Sequence, residues 1–156
     1  MSRPVNSATT GMLVRKPIQE VFEAFINPEI TTKFWFTHSS GKLEEGVNCI
    51  WTWEMYNLNV PVKVQKIEPN ETIIIEWGEG KQESVAKWEF KKIAEAKTYV
   101  TISNYDFQGE GDEVVKQVID STGGFTMVVA GLKAWLEHGV QLNLIGDKFP
   151  KEMMTE

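Results

Sequence analysis

Between Gly41 and Phe107 the apolar residues of this chain recur at every second position, and beyond residue 112 they recur at every third and fourth. That change of period constrains the fold more than any other feature. Side chains alternate between faces along a strand, whereas on a helix residues three and four apart share a face. Cys49, Trp51, Trp53 and Met55 alternate with Asn48, Ile50, Thr52 and Glu54. Leu58, Val60, Val62 and Val64 make the next series, "TIIIEW" follows, and Ala86, Trp88 and Phe90 share one face of "ESVAKWEF". In "TYVTISNYDF", Val100 and Ile102 point inward. The breaks "EEG", "YNLN", "EPNE", "GEGK" and "AEA" are turn-like. Connections this short join antiparallel strands, because a parallel pair needs a crossover of about a dozen residues.

Ahead of this meander, "TTGMLVRK" predicts a strand ending at Lys16, and Pro17 opens a helix over "PIQEVFEAFINP". A second short helix is expected over "PEITTKFWF". After it, Asp112 is a suitable N-cap for a helix to about residue 138, with Gly139 as its stop. The class is therefore α+β, with one domain over 9–148, a flexible tail over 1–8 and a polar tail over 149–156.

The last helix carries Val115, Val118, Thr122, Phe125, Val129, Leu132 and Leu136 as one stripe, flanked by Gly124, Val128, Gly131 and Trp135. Together they cover more than half its circumference, so a curved sheet should wrap it. Gly123, Gly124 and Gly131 stand inside this helix, where each costs about 1 kcal/mol against alanine. Close approach of a neighbouring backbone at 124 and 131, a bend at 123–124, and unfilled volume for a small ligand would each explain them.

Composition narrows the partners. Of 156 residues 42% are hydrophobic and 24% charged, and the net charge of −6 comes without a basic patch. No nucleic acid and no membrane are expected as partners. A single cysteine allows no internal disulfide, and no signal-like segment opens the chain, so a cytoplasmic protein is expected. Neither histidine lies in a nucleophile-elbow setting, and no His, Cys and Asp set has metal-ligand spacing. No catalytic residue, metal or cofactor is therefore assigned. Cys49 reads as a small core residue, His138 as a cation at a helix C-terminus, and Glu54, Glu76 and Glu89 as solvated-face residues. His38 in "FTHSSG" is the candidate polar residue, placed at the end of the second helix; Asn104 and Tyr105 are weaker ones.

The segments "KPIQEVFEAFINPEITTKFW", "IEPNETIIIEW", "WEF" and "GGFTMVVAGLKAWLEHG" resemble the START and Bet v 1-like (SRPBCC) superfamily, and within it the group of activator of heat-shock-protein-90 ATPase homologues. Phe125 stands where that group usually has tryptophan ahead of its Leu-Lys-x-x-Leu-Glu segment. The resemblance implies a helix-grip fold: a curved antiparallel sheet of six to seven strands around a long C-terminal helix, with two short helices after the first strand. It also implies a cavity between helix and sheet. Trp35, Phe36, His38, Trp51, Trp53, Trp77, Trp88, Phe90, Ile102, Phe125 and Val129 are the candidate cavity residues. The expected function is binding of a small hydrophobic or aromatic molecule. A polyketide aromatase/cyclase-like enzyme and a co-chaperone-like interaction domain are the alternatives, and a homodimer through an exposed strand edge stays open.

Overall fold

The computed structural model describes residues 6–154; the N-terminal tail expected over residues 1–8 lies largely outside them. Among the described residues seven strands form one antiparallel sheet. They are β1 (Ala8–Val14), β2 (His38–Ser39), β3 (Asn48–Trp53), β4 (Leu58–Glu68), β5 (Thr72–Trp77), β6 (Ser84–Ala94) and β7 (Lys97–Tyr105). Their order is β1-β7-β6-β5-β4-β3-β2, so β3 to β7 run as the expected meander and β1 joins its far side by pairing with β7. Register shifts between Val64 and Lys66 and between Lys92 and Ala94 add local twist to a sheet that curves around a helix. The inward register buries Cys49, Trp51, Trp53, Val62, Val64, Ile73, Ile75, Ala86, Trp88, Phe90, Val100 and Ile102.

Two helices separate β1 from β2: α1 (Ile18–Ile26) and α2 (Pro28–Thr31). The first buries Val21, Phe22, Ala24, Phe25 and Ile26. The Asn27 side chain caps the second by accepting from the Glu29 amide at 3.0 Å. Two boundaries differ from expectation. β1 stops at Val14, because the Arg15 amide leaves the ladder and donates to the Glu137 carboxylate at 2.7 Å. α2 stops at Thr31, and Phe34, Trp35 and Phe36 behind it are all buried. Three consecutive large side chains cannot all be buried from one helix face, so the chain leaves the helix to turn each of them inward.

The long helix α3 (Asp112–His138) has the expected span. Its N-cap is Gly111, at φ 56°, and not Asp112, which sits in the first turn. Gly139 closes the other end in the left-handed region at φ 65°, its amide donating to the Trp135 carbonyl. Burial is concentrated at Phe125, Val128, Val129, Gly131 and Leu132; Val115 is 50% exposed, so the first turns overhang the core. A short helix, α4 (Leu144–Lys148), follows, and a 3-10 turn over Lys151–Met153 comes after it. Among the described residues no helix is long and apolar enough to cross a membrane.

α3 is fastened to the β1 side of the sheet. Thr126 hydrogen-bonds Thr10 at 3.1 Å, and the Lys133 ammonium donates to the Leu13 carbonyl at 2.8 Å and to Glu137 at 2.7 Å. Burial pushes the Glu137 carboxyl upward, but hydrogen bonds from Lys133 and the Arg15 amide outweigh it and hold the group below its ordinary value. A depressed folded value means that the stabilisation is present above the unfolded carboxylate pKa, about 4.3. It is lost as pH falls through the lower folded value. Glu137→Gln is expected to cost about 1–3 kcal/mol at pH 7. The difference from wild type should shrink as urea unfolding is repeated towards pH 3.

Candidate functional site

The three helix glycines have separate surroundings. A Cβ added at Gly131 would stand 3.1 Å from the Phe34 Cβ and 3.3 Å from its carbonyl oxygen, so this glycine admits the segment after α2. A Cβ at Gly124 would meet nothing within 4 Å, and at Gly123 only the end of Lys148 at 3.9 Å. The close approach expected at both 124 and 131 thus holds at 131 alone. Gly124 faces open space because it lines a cavity of about 670 Å³.

That cavity follows from how α3 sits. The helix lies against β1 and β7, on one side of the concave face. The opposite side, built from β3, β4 and β5, stands away from it and contributes Trp53, Leu58, Val60, Pro61 and Trp77 to the wall. Phe125, Val128 and Gly124 line the α3 side, and Ile145 and Phe149 close another flank. The Tyr56 hydroxyl holds that flank by donating to the Phe149 carbonyl at 2.6 Å. Burial raises the Tyr56 pKa above its ordinary value.

The floor is a cluster of rings centred on Trp35. Its centroid lies 4.8 Å from Trp51, 5.5 Å from Phe125, 5.8 Å from Trp77, 6.0 Å from Trp88 and 6.4 Å from Trp53, mostly edge-to-face. Such pairs contribute about 0.5–1.5 kcal/mol each beyond their burial.

One wall is polar. Asn104 at the end of β7 is 2% exposed; its amide nitrogen donates to the Ser84 hydroxyl at 2.9 Å and the Val85 carbonyl at 2.7 Å. Its amide oxygen accepts from the Ser121 hydroxyl of α3 at 2.8 Å. Ser84, Asn104 and Ser121 all line the cavity. The Val85 carbonyl can only accept, so the orientation of the Asn104 amide is fixed. Glu79 and Asp120 are exposed at the rim.

Of the candidate residues taken from sequence, the structure brings Trp35, Trp53, Trp77 and Phe125 to the cavity wall. Phe36, Trp51, Trp88, Phe90, Ile102 and Val129 are buried behind it: Phe36 stacks on Trp51 at 4.6 Å, and Phe90 packs on Phe22 at 5.2 Å. The Trp88 indole nitrogen is buried there without a hydrogen-bond partner. His38 is not at the end of a helix; it lies exposed on the edge strand β2, opposite Thr52. Cys49 is 5% exposed on the inward face of β3, and burial raises its thiol pKa despite a hydrogen bond with Ser39. Among the described residues no group of three His, Cys, Asp or Glu side chains could hold a metal ion.

Sequence patterning carries a signal for the polar wall. Ser84 is in phase with Ala86, Trp88 and Phe90, Asn104 with Val100 and Ile102, and Ser121 with Phe125 and Val128. A polar residue in each inward register, near the same end of the sheet, marks a wet corner of the interior.

Curved sheet, gripping helix and intervening cavity define a protein of the Bet v 1-like class. The chain belongs to the activator of Hsp90 ATPase homolog 1-like family, whose model matches residues 15–137. It is similar to the protein SSP2350 from Staphylococcus saprophyticus, at 32% identity and a TM-score of 0.75 over 87% of this chain and 95% of that one. DynU16, a protein in the dynemicin biosynthetic locus, shares the fold at 22% identity and a TM-score of 0.77, over 88% of this chain and 49% of that one. The Aha1 dimer from Colwellia psychrerythraea does so at 14% identity and a TM-score of 0.72, over 85% of this chain and 97% of that one. No curated protein matches the chain in sequence.

Proposed function

We propose that this protein binds a small hydrophobic or aromatic molecule in the cavity between α3 and the sheet. The observation that carries the proposal is the open volume of about 670 Å³ beside Gly124, floored by Trp35, Trp53, Trp77 and Phe125. Ligand sites of this kind commonly measure about 300–1,000 Å³ and combine apolar walls with a few placed polar groups. A residue that costs helix stability and faces empty space is poorly explained by packing alone. Binding is favoured over catalysis because, among the described residues, the lining offers no histidine, cysteine or lysine, and its two carboxylates are exposed at the rim.

Native mass spectrometry of gently purified protein, followed by tryptophan-fluorescence titration with apolar ligands, tests this. A co-purifying molecule or saturable quenching is expected, since Trp35, Trp53 and Trp77 line the cavity. Gly124→Leu, which puts an isobutyl group into the open volume, should weaken binding by about tenfold or more, equivalent to about 1.4 kcal/mol. The absence of both a bound species and saturable quenching, across every ligand class tried, would sink the proposal.

A further inference from the structure

We propose, building on the binding function above, that the cavity selects an uncharged, flat aromatic ligand carrying a hydrogen-bond acceptor such as a ketone or ester carbonyl. On this proposal Ser84 is the anchor and carboxylate ligands are rejected. The hydrogen-bond inventory of the polar wall gives the first half. Asn104 uses both amide hydrogens, on Ser84 and on Val85, and takes the Ser121 proton on its oxygen. Ser84 therefore accepts through its oxygen and keeps its own proton to give. Its side chain is buried at 7% exposure and lines the cavity. Trp77, on the adjacent strand, is its register partner. A ring lying against Trp77 would thus place a substituent oxygen beside the Ser84 hydroxyl.

The second half rests on charge. Among the described residues no lysine, arginine or histidine lines the cavity, while Glu79 and Asp120 stand at its mouth. Two lysines approach lining residues from outside, and neither serves the interior. The Lys116 ammonium is paired with Asp120 at 2.9 Å and is 77% exposed, and that of Lys148 is exposed 5.6 Å over the Phe149 ring. A carboxylate entering this space would lose hydration with no cation to replace it.

The test uses three ligands on one ring skeleton, naphthalene, 2-acetylnaphthalene and 2-naphthoate, titrated into the wild-type protein at pH 7. Amide chemical shifts in two-dimensional NMR report both affinity and location. The ketone is expected to bind about fivefold or more tighter than the hydrocarbon, as one neutral hydrogen bond allows. Naphthoate should bind about tenfold or more weaker than the ketone, with the largest ketone-specific shifts at Ser84 and Trp77. Ser84→Ala should bring the ketone down to the hydrocarbon's affinity and leave the hydrocarbon unchanged. Naphthoate binding as tightly as the ketone, or a ketone no tighter than the hydrocarbon, would overturn this selectivity while the cavity remained a binding site. Absence of saturable shifts with all three would overturn the selectivity, while the binding function would still be decided by native mass spectrometry and the wider apolar panel.

Discussion

Trp35→Ala is expected to destabilise the protein by about 3–5 kcal/mol, the usual cost of deleting a large buried aromatic. Trp35 is 7% exposed and its ring contacts Phe36, Trp51, Trp53, Trp77, Trp88 and Phe125, joining side chains from β3, β5, β6 and α3. Deletion would merge its own volume with the neighbouring cavity, and rings held by three different strands cannot collapse together to refill it. For a domain of this size the loss corresponds to a fall in Tm of roughly 2–4 °C per kcal/mol. Trp35→Phe keeps an edge-to-face partner for Trp51 and Phe125 and should recover most of the loss. A Trp35→Ala variant that melts within a degree or two of wild type would show that the ring cluster does not organise the core.

The second prediction sets two glycines of one helix against each other. Gly131→Leu should lose about 1–3 kcal/mol or more, because overpacking forces strain where nothing can yield. The obstacle is partly main chain, the Phe34 carbonyl at 3.3 Å, and a carbonyl cannot rotate away as a side-chain tip can. Gly124→Leu should instead be neutral or stabilising by up to about 1 kcal/mol, since the new side chain enters open space and helix propensity improves. Urea unfolding of both variants measures the contrast directly. Equal losses at the two positions would mean that the volume beside Gly124 closes in solution. The same variant then serves the binding experiment, as a stable protein with an obstructed cavity.

Much of the architecture was legible in the residues themselves. The two-residue period from Asn48 to Tyr105 marks β3 to β7, because strand geometry alone decides which face each side chain takes. Gly139 marks the end of α3, because a left-handed cap suits glycine best. Local signals were weaker where two groups competed for one role. Asp112 has the chemistry of an N-cap, yet the chain turns at Gly111, whose positive φ sets the helix one residue earlier. "TKFWF" by its sequence continues the second helix, but burying Phe34, Trp35 and Phe36 together requires the chain to leave it. The imidazole of His38 marks it by chemistry alone, while its position on edge strand β2 depends on pairing with Thr52, fourteen residues away along the chain.

The sequence by itself determined the element types, the antiparallel meander and the set of inward-facing aromatics, all of which depend on periodicity and local backbone preference. Only the tertiary structure decided which of those aromatics line open volume and which are packed behind it. That division depends on where α3 rests across the sheet, and long-range contacts set its position: Thr126 with Thr10, Lys133 with Leu13, and Gly131 with Phe34. No local pattern in the chain encodes the distance between a helix and the far side of a curved sheet. That distance makes Gly124 the edge of a cavity, and Gly131, seven residues on, a point of close contact.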